Sequence, residues 1–128
     1  MNDSKNPLSP HLQIYRWHTS SLLSITHRIS GVINLVGLIL IFFWLIFLSF
    51  GESYYELFLL IINSFFGKFI LIGFTWSMSF HILSGIRHLV WDIGYGFEIK
   101  TANIYGIIVI ISSLVLTIIF WLFGRGLI

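Results

Sequence analysis

The sequence predicts an all-α integral membrane protein that crosses the bilayer three times. Hydrophobic residues make up 57% of the 128 residues and charged residues only 9%, against about 25% in soluble proteins. So few charges cannot form the polar surface that a water-soluble fold needs. Three long stretches carry no charged residue, and the alternating pattern of a membrane barrel is absent. Because unpaired backbone groups are costly in hydrocarbon, these stretches are predicted to be helices.

The first element is an N-terminal segment, residues 1–28, which is predicted to be cytoplasmic and to run into the start of the first helix. Its prolines, histidines and charges leave no apolar core and no small-residue cleavage site, so it does not resemble a secretory signal. Three spans follow, at about 29–51, 65–90 and 102–124. Together these elements predict one transmembrane anchor domain over the whole chain.

The middle span has the shortest uncharged stretch of the three. Its uncharged stretch, Phe69–Ile86, is short for a helix that needs about 20 apolar residues to cross. The helix is therefore expected to extend past Lys68 at one end and Arg87 at the other. The apolar stretch Leu57–Gly67 precedes it and fits either an interfacial segment or an early turn of the same helix, and the interface is favoured.

The distribution of Lys and Arg predicts the orientation. With three spans, the N-terminus and the loop between the second and third helices lie on one side. That side carries Lys5, Arg16, Arg28, Arg87 and Lys100. The other side carries Lys68 and Arg125. The positive-inside rule therefore places the N-terminus in the cytoplasm, or in the matrix of an organelle.

His81 is the residue most difficult to explain in a simple anchor. It lies deep in an apolar helix, where ionisable groups are costly and usually functional. A neutral imidazole is a common axial ligand of haem iron. Gly85 lies one turn away on the same face, where a flat macrocycle would fit, and His88 lies about 10.5 Å along that face at about 1.5 Å per residue. The alternative is a histidine that hydrogen-bonds between helices beside a packing glycine.

A haem held by His81 would need a second axial ligand. No other histidine of this chain lies as deep in a span. That ligand is therefore expected to come from another subunit, and the three helices are expected to form a bundle with a second anchor chain.

Ser24 and Arg28 form a second candidate site. They lie four residues apart on one helix face, with His27 beside them. A cation at this depth commonly binds a lipid headgroup phosphate. The alternative is a quinone site, because a serine hydroxyl and a guanidinium are donors for the two quinone carbonyls. Asp92 is placed to pair with a cation such as Arg28. The alternative is that Asp92 and Arg87 are simple interfacial charges.

Three motifs then reveal a resemblance. They are Pro7–Leu8–Ser9–Pro10–His11–Leu12–Gln13–Ile14–Tyr15–Arg16, Ser24–Ile25–Thr26–His27–Arg28–Ile29–Ser30–Gly31, and His81–Ile82–Leu83–Ser84–Gly85–Ile86–Arg87–His88–Leu89–Val90–Trp91–Asp92. In this order they resemble the cytochrome b membrane-anchor subunits of succinate dehydrogenase, respiratory complex II. The resemblance covers the chain to about Gly94, and beyond it the third helix matches only in hydrophobicity.

The resemblance implies roles for these residues. His81 matches the axial ligand of haem b, shared with the second small anchor subunit, and Gly85 packs against the haem. Ser24 and Arg28 match residues of the ubiquinone pocket. His27, Arg28 and His88 fall where contacts to the haem propionates are expected. The other expected partners are membrane lipid, an iron–sulfur subunit that carries the iron–sulfur clusters, and a flavoprotein subunit that carries FAD.

The chain lacks motifs for the cofactors that the resemblance assigns to the other subunits. The chain has no cysteine for clusters, no Gly-rich dinucleotide motif, and no basic run that would indicate nucleic acid. We therefore expect no catalysis by the isolated chain, and a multi-pass location in the bacterial or the mitochondrial inner membrane. The alternatives are a fumarate reductase anchor and a cofactor-free structural subunit.

Overall fold

A computed structural model describes residues 17–127, with the backbone alone for 125–127. Within this range the chain is helical, with no strand. The helices are α1 (Thr19–Ser49), α2 (Glu52–Ile62), α3 (Phe65–Asp92) and α4 (Ile99–Leu127). The N-terminal motif of residues 7–16 lies outside the described residues.

Three of these helices are long and apolar enough to cross a membrane: α1, α3 and α4. This confirms the predicted fold class. With 31 residues, α1 is about 46 Å long at about 1.5 Å per residue, whereas the hydrocarbon core is about 30 Å thick. The helix is therefore longer than the apolar layer is thick, and Ser24 and Arg28 lie inside it rather than in a preceding loop.

The segment before the middle span is a separate short helix, α2, rather than an early turn of α3. Gly51, with φ of 104°, adopts a left-handed conformation between α1 and α2 that favours glycine. At the other end, Ser64 begins α3 by accepting a hydrogen bond from the Gly67 backbone N–H at 3.1 Å. A side chain at Gly67 would collide with the Ile61 and Ile62 carbonyls, so only glycine fits this turn.

The buried residues of α1 form a single narrow stripe. They are Leu23, Ser30 and Gly37, each seven residues from the next. A seven-residue spacing keeps side chains on one face of a helix. The rest of α1 is exposed or half-buried within this chain, so lipid or another protein must cover it.

The interface between α3 and α4 is built from small residues. The buried positions of α4 are Ala102, Gly106, Val109, Ser113 and Thr117, three or four residues apart. On α3, Phe80 belongs to the same buried cluster as Val109, and the buried Arg87 bonds to the Ala102 carbonyl. Small residues let membrane helices approach closely, since lipid tails give no hydrophobic force between them. A compact apolar cluster of Leu23, Phe80 and Val109 joins the three helices.

Two glycines mark close helix contacts, and a third does not. A side chain at Gly37 would overlap the Phe74 ring of α3, and one at Gly106 of α4 would press on Leu23 of α1. The space around Gly73 is open within this chain. Gly73 therefore makes no close helix contact among the described residues.

Candidate functional site

Three histidines meet where α1 crosses α3. The rings of His27 and His81 are stacked, with centroids 4.1 Å apart and planes 8° from parallel. The ring of His88 lies 5.2 Å from that of His27, tilted by 33°. His27, one of the residues predicted as propionate contacts, thus lies beside the predicted haem ligand, His81. His88, another of them, lies beside His27.

The His81 ring is fastened to α1 by a serine. Its Nδ1 lies 3.0 Å from Ser30 Oγ, and the same hydroxyl donates to the His27 carbonyl at 2.7 Å. A side chain at Gly31 would come within 3.3 Å of His81 Cε1, so the imidazole lies directly against the α1 backbone. Glycine suits position 31 because the His81 ring occupies the space that a side chain would need.

A second serine ties the two helices together one turn earlier on α3. The Ser77 hydroxyl is fully buried. It donates towards the Ser30 carbonyl at 3.1 Å and lies 3.0 Å from Asn34 Oδ1. The backbone and the hydroxyl of Ser30 are both held, which gives the His81 contact a rigid base.

The far end of the cluster is held by the backbone of α3. His88 Nδ1 lies 2.7 Å from the Ser84 carbonyl, and because a carbonyl only accepts, the imidazole donates there. Between His81 and His88, Gly85 faces open space, with no atom within 4 Å of where a Cβ would be. The Ser84 hydroxyl and His27 Nδ1 are buried without hydrogen-bond partners in the part of the chain that is described.

The predicted quinone residues occupy the same end of α1. Ser24 is half-buried and Arg28 is exposed. Within residues 17–127 neither side chain is engaged in a hydrogen bond or an ion pair. The hydrogen-bond donors of both side chains are therefore available to a ligand. Asp92 is also exposed, and the structure does not join it to Arg28. The pairing of these two residues remains a prediction.

Arg87 differs from the interfacial charge that the sequence suggests. Its side chain is only 5% exposed, between α3 and α4. One terminal nitrogen donates to the Ala102 carbonyl at 3.1 Å, and the guanidinium carbon lies 4.0 Å from the centre of a Trp91 ring. The cation is therefore a packing element that joins the two helices.

Sequence reasoning missed Ser30, Gly31 and Ser77 as parts of this site. The signal was present in part, because Ser30 and Gly31 end the same motif as His27. Ser77 lies one turn before His81, which indicates a shared face. The partner of each residue depends on how α1 is rotated against α3, which a single sequence does not specify.

A cavity of about 500 Å³ opens at the same end of the bundle. It lies between the beginning of α1, the end of α3 and the beginning of α4, with His18, Ser20, Trp91 and Asn103 in its wall. Ser24 and Arg28 are not among its lining residues.

The fold and the histidine cluster define a class: a membrane-spanning helical subunit with imidazoles gathered at one end. Among the described residues, no group of three or more His, Cys, Asp or Glu side chains is arranged to hold a bare metal ion.

The chain belongs to the succinate dehydrogenase/fumarate reductase transmembrane subunit family, whose sequence pattern matches residues 2–120. It is 42% identical over 118 residues to the succinate dehydrogenase cytochrome b556 subunit of Rickettsia prowazekii, covering 92% of each chain. It is 36% identical over 119 residues to the subunit of the same name from Paracoccus denitrificans, covering 93% of this chain and 92% of the relative. With its three apolar helices, it is a multi-pass protein of the inner membrane.

Proposed function

We propose that this chain is the cytochrome b membrane-anchor subunit of a succinate:ubiquinone oxidoreductase. In this role it holds haem b together with a second anchor subunit and forms part of the quinone-reduction site. The names of its relatives support the first part of the proposal. The observation that carries the second part is the placement of His81. Its imidazole is half-buried in a span and bonded through Nδ1, and Nε2 has no hydrogen-bond partner among the described residues.

The residues around His81 fit a haem. A neutral imidazole nitrogen is the donor that haem iron accepts, and the open space at Gly85 leaves room on the same face for a flat macrocycle. His27 is stacked on the His81 ring, and His88 lies next to His27. A His27 N–H and the Arg28 guanidinium are suitable donors for propionate carboxylates. His88 could donate through Nε2 only as an imidazolium, because its Nδ1–H already bonds to the Ser84 carbonyl.

Within the described helices, only His81 has this depth and this geometry. The proposal therefore assigns the second axial ligand to the partner anchor. When bound, haem supplies an iron that accepts and releases one electron. The chain's own residues hold that group, orient it and anchor the soluble subunits. We propose that those subunits carry FAD and the iron–sulfur clusters, since this chain has no cysteine to hold a cluster.

The quinone role rests on Ser24 and Arg28. Both lie on one face of α1 and keep their donors within the described chain. A hydroxyl and a guanidinium beside a quinone carbonyl would stabilise the negative charge that develops as the ring is reduced. Their position near the end of the span lets protons from the aqueous side reach the site. Fumarate reductase, which the family name also includes, is the alternative direction for the same machinery.

The test is a reduced-minus-oxidised spectrum of the complex purified from membranes. Wild-type protein is expected to show a six-coordinate b-type haem, and His81→Ala is expected to lose it or retain it weakly. His18→Ala is the control, because His18 precedes α1 and makes no side-chain cap bond there. A full haem spectrum in the His81→Ala complex, or none in the wild-type complex, would show that the proposal is wrong.

A further inference from the structure

We infer that Ser30 is a positioning residue that holds His81 in the tautomer whose Nε2 can bind iron. This inference rests on the proposed function, since it concerns how the proposed haem ligand is prepared. The relevant contacts form a chain of two hydrogen bonds between α3 and α1. His81 Nδ1 is bonded to Ser30 Oγ, which is bonded in turn to the His27 carbonyl.

The direction of these bonds follows from counting protons. A serine hydroxyl has one proton, and the 2.7 Å contact with the His27 carbonyl uses it, because a carbonyl cannot donate. Ser30 Oγ must therefore accept in its 3.0 Å contact with His81. The proton of a neutral His81 ring then lies on Nδ1, and Nε2 carries the free lone pair that a metal requires.

The surrounding packing keeps this arrangement in place. Ser30 is 2% exposed, so water does not compete for its hydroxyl. Ser77 donates to the Ser30 carbonyl from the facing helix, and Gly31 lets the His81 ring lie against α1. Turning the ring over would break its hydrogen bond to Ser30.

A hydrogen bond at the far nitrogen also changes the ligand's electronic character. When Nδ1–H donates, the ring becomes more basic and gives more electron density to the metal at Nε2. That effect stabilises oxidised iron over reduced iron. The role of Ser30 is therefore visible in the midpoint potential of the haem as well as in the amount bound.

The experiment compares Ser30→Ala with Ser79→Ala in the purified complex. Like Ser30, Ser79 is buried, but it lies in α3, two residues from His81. Its hydroxyl donates only to the Thr75 carbonyl of its own helix. We measure the haem content, the electron paramagnetic resonance spectrum of the oxidised haem, and its midpoint potential. Ser30→Ala is expected to raise the ratio of reduced to oxidised haem at a fixed potential by up to about tenfold, equivalent to about 59 mV for one electron.

Equal midpoint potentials in Ser30→Ala, Ser79→Ala and wild type would overturn the inference and leave the haem proposal standing. A wild-type complex without haem would overturn both. If Ser30→Ala does not assemble, Ser30→Cys decides the question, because a thiol is close in size and a much weaker acceptor. A raised potential in Ser30→Cys supports the inference, and an unchanged one overturns it.

Discussion

Arg87 is a buried cation with no acidic partner in the described chain, near the end of a membrane helix. An isolated buried charge costs several kcal/mol, so it needs compensation. The Ala102 carbonyl and the Trp91 ring supply it, since a desolvated cation over an indole is stabilised by about 2 kcal/mol. A residue that the sequence presents as a surface charge thus stabilises the contact between α3 and α4.

Arg28 has the opposite character, because its exposed guanidinium has no partner within residues 17–127. We predict that Arg28→Ala slows ubiquinone reduction by about 10- to 100-fold. A hydrogen bond from a charged donor contributes about 1.5–3 kcal/mol, and each 1.4 kcal/mol, roughly, is a factor of ten in rate. The measurement is succinate-driven ubiquinone reduction by the purified complex.

The controls for this variant separate the quinone step from the rest. Electron transfer to an artificial acceptor that takes electrons from the soluble subunits is expected to be unchanged. Lys100→Ala, which removes an exposed cation predicted on the same side, is expected to reduce ubiquinone normally. Normal ubiquinone turnover in Arg28→Ala would exclude Arg28 from the pocket.

At the scale of elements, the helices pack through small and polar residues rather than through a large apolar core. Three buried hydroxyls, those of Ser79, Ser113 and Thr117, donate to carbonyls of their own helices. Their side chains are therefore satisfied in an environment without water. The large apolar side chains face outwards instead, which is the arrangement that a bilayer favours.

We predict that Gly37→Ala destabilises the complex by about 1–3 kcal/mol, the usual cost of overpacking. An added methyl group at Gly37 would overlap the Phe74 ring, so α1 and α3 would have to separate. Gly73→Ala is the matched control, because it adds the same group at an open position of α3. Thermal unfolding of the two purified variants is the measurement, and equal stability would contradict the proposed contact.

At the scale of the whole molecule, one end of the bundle holds all the candidate chemistry. The beginning of α1, the end of α3 and the beginning of α4 meet there, with His27, His81 and His88 nearby. Only three residues of α1 are buried, so most of its length is available to lipid or to a second anchor subunit. The proposed haem site, with one imidazole from this chain, would be completed in such an assembly.

We predict that this end faces the cytoplasm. The chain has no cysteine, so single cysteines can be introduced at Ser53 of α2 and at Glu98 before α4, both exposed. In intact spheroplasts, a maleimide that cannot cross membranes is expected to label Ser53→Cys at once and Glu98→Cys only after lysis. The reverse pattern would show that the orientation from the positive-inside rule is wrong.

The class of protein and the number of spans could be predicted from the sequence, because hydropathy and charge are properties of consecutive residues. It also placed His27, His81 and His88 near one end, since the order of spans and loops decides which helix ends lie together. The separation of α2 from α3 was partly visible in Asn63 and Ser64, which interrupt an apolar run.

Only the tertiary structure decided which polar groups meet. The contact of Ser30 with His81, the burial of Arg87 against Trp91 and the open space at Gly73 all depend on how each helix is rotated about its axis. Hydropathy does not specify that rotation when nearly every face is apolar. It is set by close packing of small residues across the helix interfaces, which exists only once the helices have come together.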